Sequence, residues 1–446
     1  MTNKKFKLAA MSLATAVAVS TVGPSASAVT YYLGNGDITV DQDENRGAYS
    51  YQGEDGKRTY VNEDEADKGT IYVKDGNAPT EDVLPSTDTS DNGTEVPTPT
   101  DNAAQSTDAS GNNTENSSTS ETTTGNTITV MENVKKTDKT DGTEGNDVKI
   151  VVDGVNVDTS TQTEALPDTG STGDKTIIKV GEGADVDLTV KNSNLTTGGN
   201  GIDIGVNLKD DDDNKETNVD LTLDNTKVNL TQNGKAGINV QDNSDVNLTL
   251  KGENAIDGSK AIENEDLKKN VNVEGIRVGG GGAGDGSGAS EGAKTHLTIS
   301  GGVEKTETAE ADTEETESPA GGSLTISKTT GGLVMADGSD VEITDGADVT
   351  IEDTKTSSST QAGRAVTQHG DLTLSGGSSL TIDGGKDNKV PHTGIGIASW
   401  DDITVEDGST LDISGAATGI YGHQGSDANL TVEDSTLNIS DVKKSH

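Results

Sequence analysis

From Thr127 onward the chain repeats one arrangement of apolar and polar positions. A Gly precedes an alternating apolar triplet, a polar turn follows, then a second triplet of the Leu-Thr-Leu kind, another turn and a third triplet. The clearest copies are "TGIGIASWDDITVEDGSTLDISGA" (393–416) and "TGIYGHQGSDANLTVEDSTLNIS" (418–440), with further copies at 200–232, 235–258, 331–354 and 363–385. Val341 to Val349, Leu372 to Leu380 and Ile403 to Leu411 are each 8 residues apart, Leu221 to Val228 and Leu430 to Leu437 each 7, and Gly394 to Gly419 is 25.

Alternation with period two predicts strands, and turns rich in Gly, Asp, Asn and Ser separate them. Three short strands in a unit of 20 to 30 residues predict a β-solenoid, in which no coil can bury its apolar face alone and each stacks on the next at about 4.8 Å. An array of β-sandwiches would share the strand content, with hairpin turns every 8 to 12 residues, but not a recurring Gly-Ile at one place of the unit.

Composition alone would suggest disorder, since hydrophobic residues are 28% of the chain and aromatic residues 2%. A narrow core of Val, Ile and Leu with Thr outside removes that conflict, because it needs few apolar residues and no aromatic ones. Residues 29–76 hold six of the seven tyrosines in short alternating runs and read as an N-terminal β cap or the first coils. Residues 77–126 are almost all Thr, Ser, Asn, Asp, Gly and Pro and read as a low-complexity, disordered linker, and 127–446 is the solenoid. Within it, Gly-rich 279–293 and acidic 303–320 read as solvated insertions.

The first 28 residues have the form of a signal peptide: Lys4, Lys5 and Lys7, an apolar run from Leu8 to Val22, and Ala26-Ser27-Ala28 before the cut. The chain is therefore expected outside the cell, with no transmembrane segment after cleavage. Its formal charge of −44 repels nucleic acid and anionic lipid and attracts divalent cations. With no cysteine, backbone ladders and apolar stacking must hold the fold without disulfides. The rod is expected to be a monomer. Its ending, "NISDVKKSH", carries no polar cap and suggests a fragment.

"NTITV…NDVKIVVDGVNVD", "KAGINVQDNSDVNLTLKGENAIDG" and "GIRVGGGGAGDG" with "HLTISGG" resemble the coils of right-handed parallel β-helix proteins on Gram-positive, largely clostridial, surfaces. The resemblance covers about 127–440. It implies an all-β, right-handed parallel β-helix and an adhesin-like or carbohydrate-binding role. It also admits polysaccharide lyases, which share the same coils and use clustered carboxylates to hold calcium against an acidic sugar, with Arg or Lys as base.

Three chemistries are open to the residues themselves. For a lyase, Arg46, Arg58, Arg277 and Arg364 are the only arginines, and no base and metal cluster recurs on one face, so catalytic residues are not assigned. For metal, Asp210, Asp211, Asp212 and Asp213 offer hard oxygen ligands that suit Ca2+, without the Gly and Glu that an EF-hand loop needs. For sugar, Trp400 lies three residues before Ile403 as His369 lies three before Leu372, so stacked coils bring the two rings together beside Asp401, Asp402, Tyr421 and His423.

Leu166-Pro167-Asp168-Thr169-Gly170 matches a sortase signal, but no apolar segment and basic tail follow it, and Pro-Asp-Thr-Gly is ordinary turn chemistry. Any wall attachment would lie in sequence beyond His446. The expected protein is a secreted, non-catalytic β-helix that displays loops and side-chain ladders to a glycan or cell-wall polysaccharide. A calcium-dependent pectate-type lyase and a structural stalk without ligand are the alternatives.

Overall fold

The computed structural model describes residues 29–42, 49–52, 58–60, 70–76, 125–135, 148–165, 172–208, 215–263, 272–280, 294–302, 321–355, 363–387, 390–391 and 393–442. These residues form a parallel β-helix. Each repeat contributes one strand in turn to three long sheets, so its three apolar triplets are the three sides of one coil. Thr393–Ser399 belongs to sheet 2, Ile403–Val405 to sheet 1 and Thr410–Ser414 to sheet 3. In the following coil the same places go to Thr418–Gly422, Leu430–Val432 and Thr436–Ser440.

Register is kept because each strand must bury the same alternate residues. Val186, Leu188 and Val190 pair with Val219, Leu221 and Leu223, and these with Val246, Leu248 and Leu250, all inside the core. A slip of one residue would send every one of them to water. Thr189, Thr222 and Thr249 form the outward row between them. Asn192, Asn225, Asp353 and Asp407 turn the corners with positive φ, which short polar side chains tolerate.

The Gly of the repeated Gly-Ile is a packing requirement. A Cβ on Gly237 would stand 2.5 Å from Ile256 Cγ2 and 2.8 Å from the carbonyl of Gly275, one coil on. Gly396 is hemmed in likewise by Ile413 Cγ2 at 2.8 Å and the Gly419 carbonyl at 2.5 Å. At this corner the β-branched residue of sheet 3 fills the space a side chain would need. Ala365 holds the place in one coil, with no exposure.

The N-terminal strands are coils of the same helix. Val29–Tyr32 and Thr70–Lys74 join sheet 1 in parallel register, and Ile38–Gln42 pairs with Ile128–Val130 in sheet 2. Beyond Ile38–Gln42, sheet 2 turns antiparallel through Tyr49–Gln52 and Arg58–Tyr60. Among the features that escaped the strand pattern are a five-residue helix, Ser259–Glu263, and antiparallel pairs of Thr163–Ala165 with Thr172–Asp174 and of Lys386–Asp387 with Val390–Pro391. Residues 166–170 of the sortase-like motif lie outside the described residues. So do the signal segment 1–28, residues 77–124 of the linker, 281–293 and 303–320 of the insertions, and Asp210 to Asp213.

Candidate functional site

One corner of the rod, where each coil passes from sheet 2 to sheet 1, brings a column of rings and a line of carboxylates side by side. The strand Gly363–Gln368 ends one residue before His369, Thr393–Ser399 one before Trp400, and Thr418–Gly422 one before His423. Gln368 pairs with Ser399, and Ser399 with Gly422, so the three rings occupy equivalent places. Trp400 N–H donates to the Gln368 carbonyl at 3.0 Å and His423 N–H to that of Ser399 at 2.8 Å.

Coil spacing is also ring-stacking distance. The rings of His369 and Trp400 are 4.1 Å apart and 14° from parallel, and those of Trp400 and His423 are 4.8 Å apart and 20° from parallel. The expected platform is therefore corrected in one respect. Both faces of the indole are covered by imidazoles, so Trp400 offers a ligand only its edge. The aromatic face at the end of the ladder is that of the exposed His423, with Tyr421, 44% exposed, two residues before it.

His369 is the anchored rung. Its side chain is only 9% exposed, and its Nδ1 lies 3.1 Å from an Asp337 carboxylate oxygen, while its buried Nε2 has no hydrogen-bond partner. The Arg364 guanidinium carbon stands 5.7 Å from the centre of the Trp400 ring, within reach of a cation–π interaction.

A second ladder runs beside the rings. Asp340 accepts the backbone N–H of Asp371 at 3.2 Å and Asp371 that of Asp402 at 3.3 Å. Asp402 in turn accepts both the backbone N–H and the side-chain amide of Asn429, at 2.8 and 2.9 Å. Each carboxylate thus caps the equivalent amide one coil on. The cost is like charge at short spacing: partial burial, then the charges of Asp401 and Asp340, raise the Asp371 carboxyl above its ordinary range.

The sequence pattern placed His369, Trp400, His423, Asp401 and Asp402 at one corner, and the coil register sets them there. Tyr421 lies outside the stack, in register with Ala398. Asp337, Asp340, Arg364, Asp371 and Asn429 were missed. The acid ladder carried a signal, because Asp340, Asp371 and Asp402 each directly precede the first apolar residue of a sheet 1 triplet. Arg364 carried none. Among the described residues no group of three or more His, Asp or Glu side chains is arranged to hold a metal ion, and no helix is long and apolar enough to cross a membrane. Comparison with protein-family models, characterised proteins and solved structures finds no match to this chain.

Proposed function

We propose that this chain is a secreted bacterial surface protein that binds glycan without catalysis, its rod presenting the ladder corner to a cell-wall or host polysaccharide. The observation that carries the reading is the pairing of an exposed aromatic end, His423 with Tyr421, with a line of hydrogen-bonding groups at Asp401, Asp402 and Asn429. Sugars are held by such combinations, an aromatic face for the C–H side of the ring and fixed acceptors and donors for its hydroxyls. Trp400 is the support that holds His423 in place.

Glycan-array binding by the wild type and by the Tyr421→Ala/His423→Ala double variant, with and without EDTA, tests this. Binding that falls about tenfold or more in the variant is the expected result, about 1.4 kcal/mol. Equal binding by the two proteins would remove the corner as the site. Release of unsaturated uronate from pectic substrates would overturn the non-catalytic reading, and silence in both assays would leave a stalk.

A further inference from the structure

Away from the ladder corner, where coils pass from sheet 3 to sheet 2, the rod carries an open cleft of about 480 Å3 lined by Ser160, Thr231, Gln232, Lys260 and Glu263. Coil register builds it. Thr159 N–H donates to the Thr196 carbonyl at 2.9 Å and Thr231 N–H to that of Thr197 at 3.0 Å, so Ser160, Gly198 and Thr231 lie side by side in three successive coils. The middle coil has no side chain at this place. A Cβ on Gly198 would stand 3.1 Å from the Ser160 carbonyl oxygen and 3.4 Å from Gln232 Cγ, so the glycine leaves a notch beside the Gln232 side chain.

The next coil supplies the far wall. After the strand Glu253–Asp257 it turns into the helix Ser259–Glu263, where the Asp257 carboxylate accepts the Ser259 N–H at 2.8 Å and the fully buried Ala261 fixes the helix to the rod. Lys260 and Glu263 stand three apart on this helix, both exposed, and therefore share one face of it.

The lining differs from the polar groups beside it in lacking protein partners. Close by, the Asn200 amide donates to Asp203 at 2.8 Å and the Thr159 hydroxyl to the Lys175 carbonyl at 2.9 Å. Among the described residues the side chains of Ser160, Gln232, Lys260 and Glu263 make no hydrogen bond or ion pair, and Lys260 and Glu263 do not pair with each other. Of the five lining side chains only the Thr231 hydroxyl is engaged, donating to the Thr197 carbonyl at 2.8 Å, and it can still accept.

We propose that this cleft is a second binding site, for one unit of a neutral, hydroxyl-rich saccharide. Each sugar hydroxyl both donates and accepts, and the lining answers both needs: Lys260 donates only, Glu263 accepts only, and Ser160, Thr231 and Gln232 do either. The volume lies within the range of about 300–1,000 Å3 usual for small-molecule sites, yet those are mostly apolar, and no apolar or aromatic side chain is among the five here. The charges of Lys260 and Glu263 cancel. An acidic sugar would meet Glu263 on a chain of net charge −44, which favours a neutral one. The cleft shares no residue with the ladder corner, and only the class of ligand is carried over from that reading.

Isothermal titration calorimetry of the full chain with neutral gluco-, galacto-, manno- and xylo-oligosaccharides, and with oligogalacturonate as the charged counterpart, tests this, while Trp400 emission is followed in parallel as the report on the ladder corner. A neutral sugar should bind the wild type without moving that emission. Lys260→Ala/Glu263→Ala should bind it about tenfold more weakly or worse, about 1.4 kcal/mol, with thermal melts that match the wild type because both residues are exposed. Ser160→Ala, which removes a hydroxyl that no protein group uses, should weaken binding by about threefold or more, the worth of one hydrogen bond. No heat from any neutral sugar, equal binding by the variants, or tighter binding of oligogalacturonate would overturn the proposal. Binding that survives in both variants and shifts Trp400 emission would also overturn it and place the sugar at the ladder corner, whereas a ladder corner that fails its own test leaves the outcome at the cleft unchanged.

Discussion

The imidazole of His369 and the indole of Trp400, 31 positions apart in the chain, lie with ring centres 4.1 Å apart and planes 14° from parallel. Their contact is a direct product of coil register, and Trp400 is the only Trp in the protein. Its fluorescence therefore reports this corner alone.

Removing His423 uncovers one indole face. His423→Ala is expected to shift Trp400 emission to longer wavelength and to increase quenching by acrylamide, with a stability loss of about 0.5–1.5 kcal/mol for the lost stacking partner. An unchanged spectrum would mean that the two rings do not stack in solution.

The acid ladder gives a pH dependence of definite sign. Burial and neighbouring Asp401 and Asp340 raise the folded-state pKa of Asp371 above its unfolded value. Its contribution to stability is thus fully present below the unfolded pKa and is lost as pH rises through the folded one. Asp371→Asn keeps a side-chain oxygen for the N–H of Asp402 and removes the charge. Relative to wild type, its melting temperature should rise at about pH 7 and gain little or nothing at about pH 3. A variant less stable than wild type at neutral pH would contradict this.

The glycine column should be intolerant of side chains. A Cβ at Gly237 meets both Ile256 and the Gly275 carbonyl, so Gly237→Val should cost about 1–3 kcal/mol or more by overpacking. Thermal melts followed by circular dichroism would show it. Gly408, where φ is +77° and the space is open, tests a different limit, since Gly408→Ala meets only backbone strain, of about 1 kcal/mol.

The amide ladder on sheet 3 offers a milder test. Asn194 donates to Asn156 at 3.0 Å and accepts from Asn229 at 2.8 Å. Asn194→Ala breaks both bonds and should lower stability by about 1 kcal/mol, because Asn156, whose bond is exposed, can turn to water and Asn229 keeps its bond to the Thr196 hydroxyl at 3.3 Å. Denaturant midpoints of the two proteins would measure the difference.

The fold was legible because a β-helix writes its architecture into a local pattern. Leu-Thr-Leu at 372 to 374 reads as a strand by itself, and the eight-residue step to Leu380 marks the next side of the coil. The Ser259–Glu263 helix was not legible, since it is a single turn closed by local bonds from Ala261 and Ile262 to the Gly258 carbonyl, with no helical apolar period to see. At the corner, His369 and Trp400 could be aligned by counting back from Leu372 and Ile403. That count places the rings in one column but says nothing of which faces remain open.

Sequence by itself determined the period, the strands, the inward Val, Ile and Leu and the glycine at the crowded corner, because each follows from what one coil must bury against the next. Tertiary structure alone decided that both faces of Trp400 are covered, that Arg364 stands near it and that Asp337 holds His369. These depend on side-chain directions and on neighbours one coil away, which a repeat pattern fixes only to within a column.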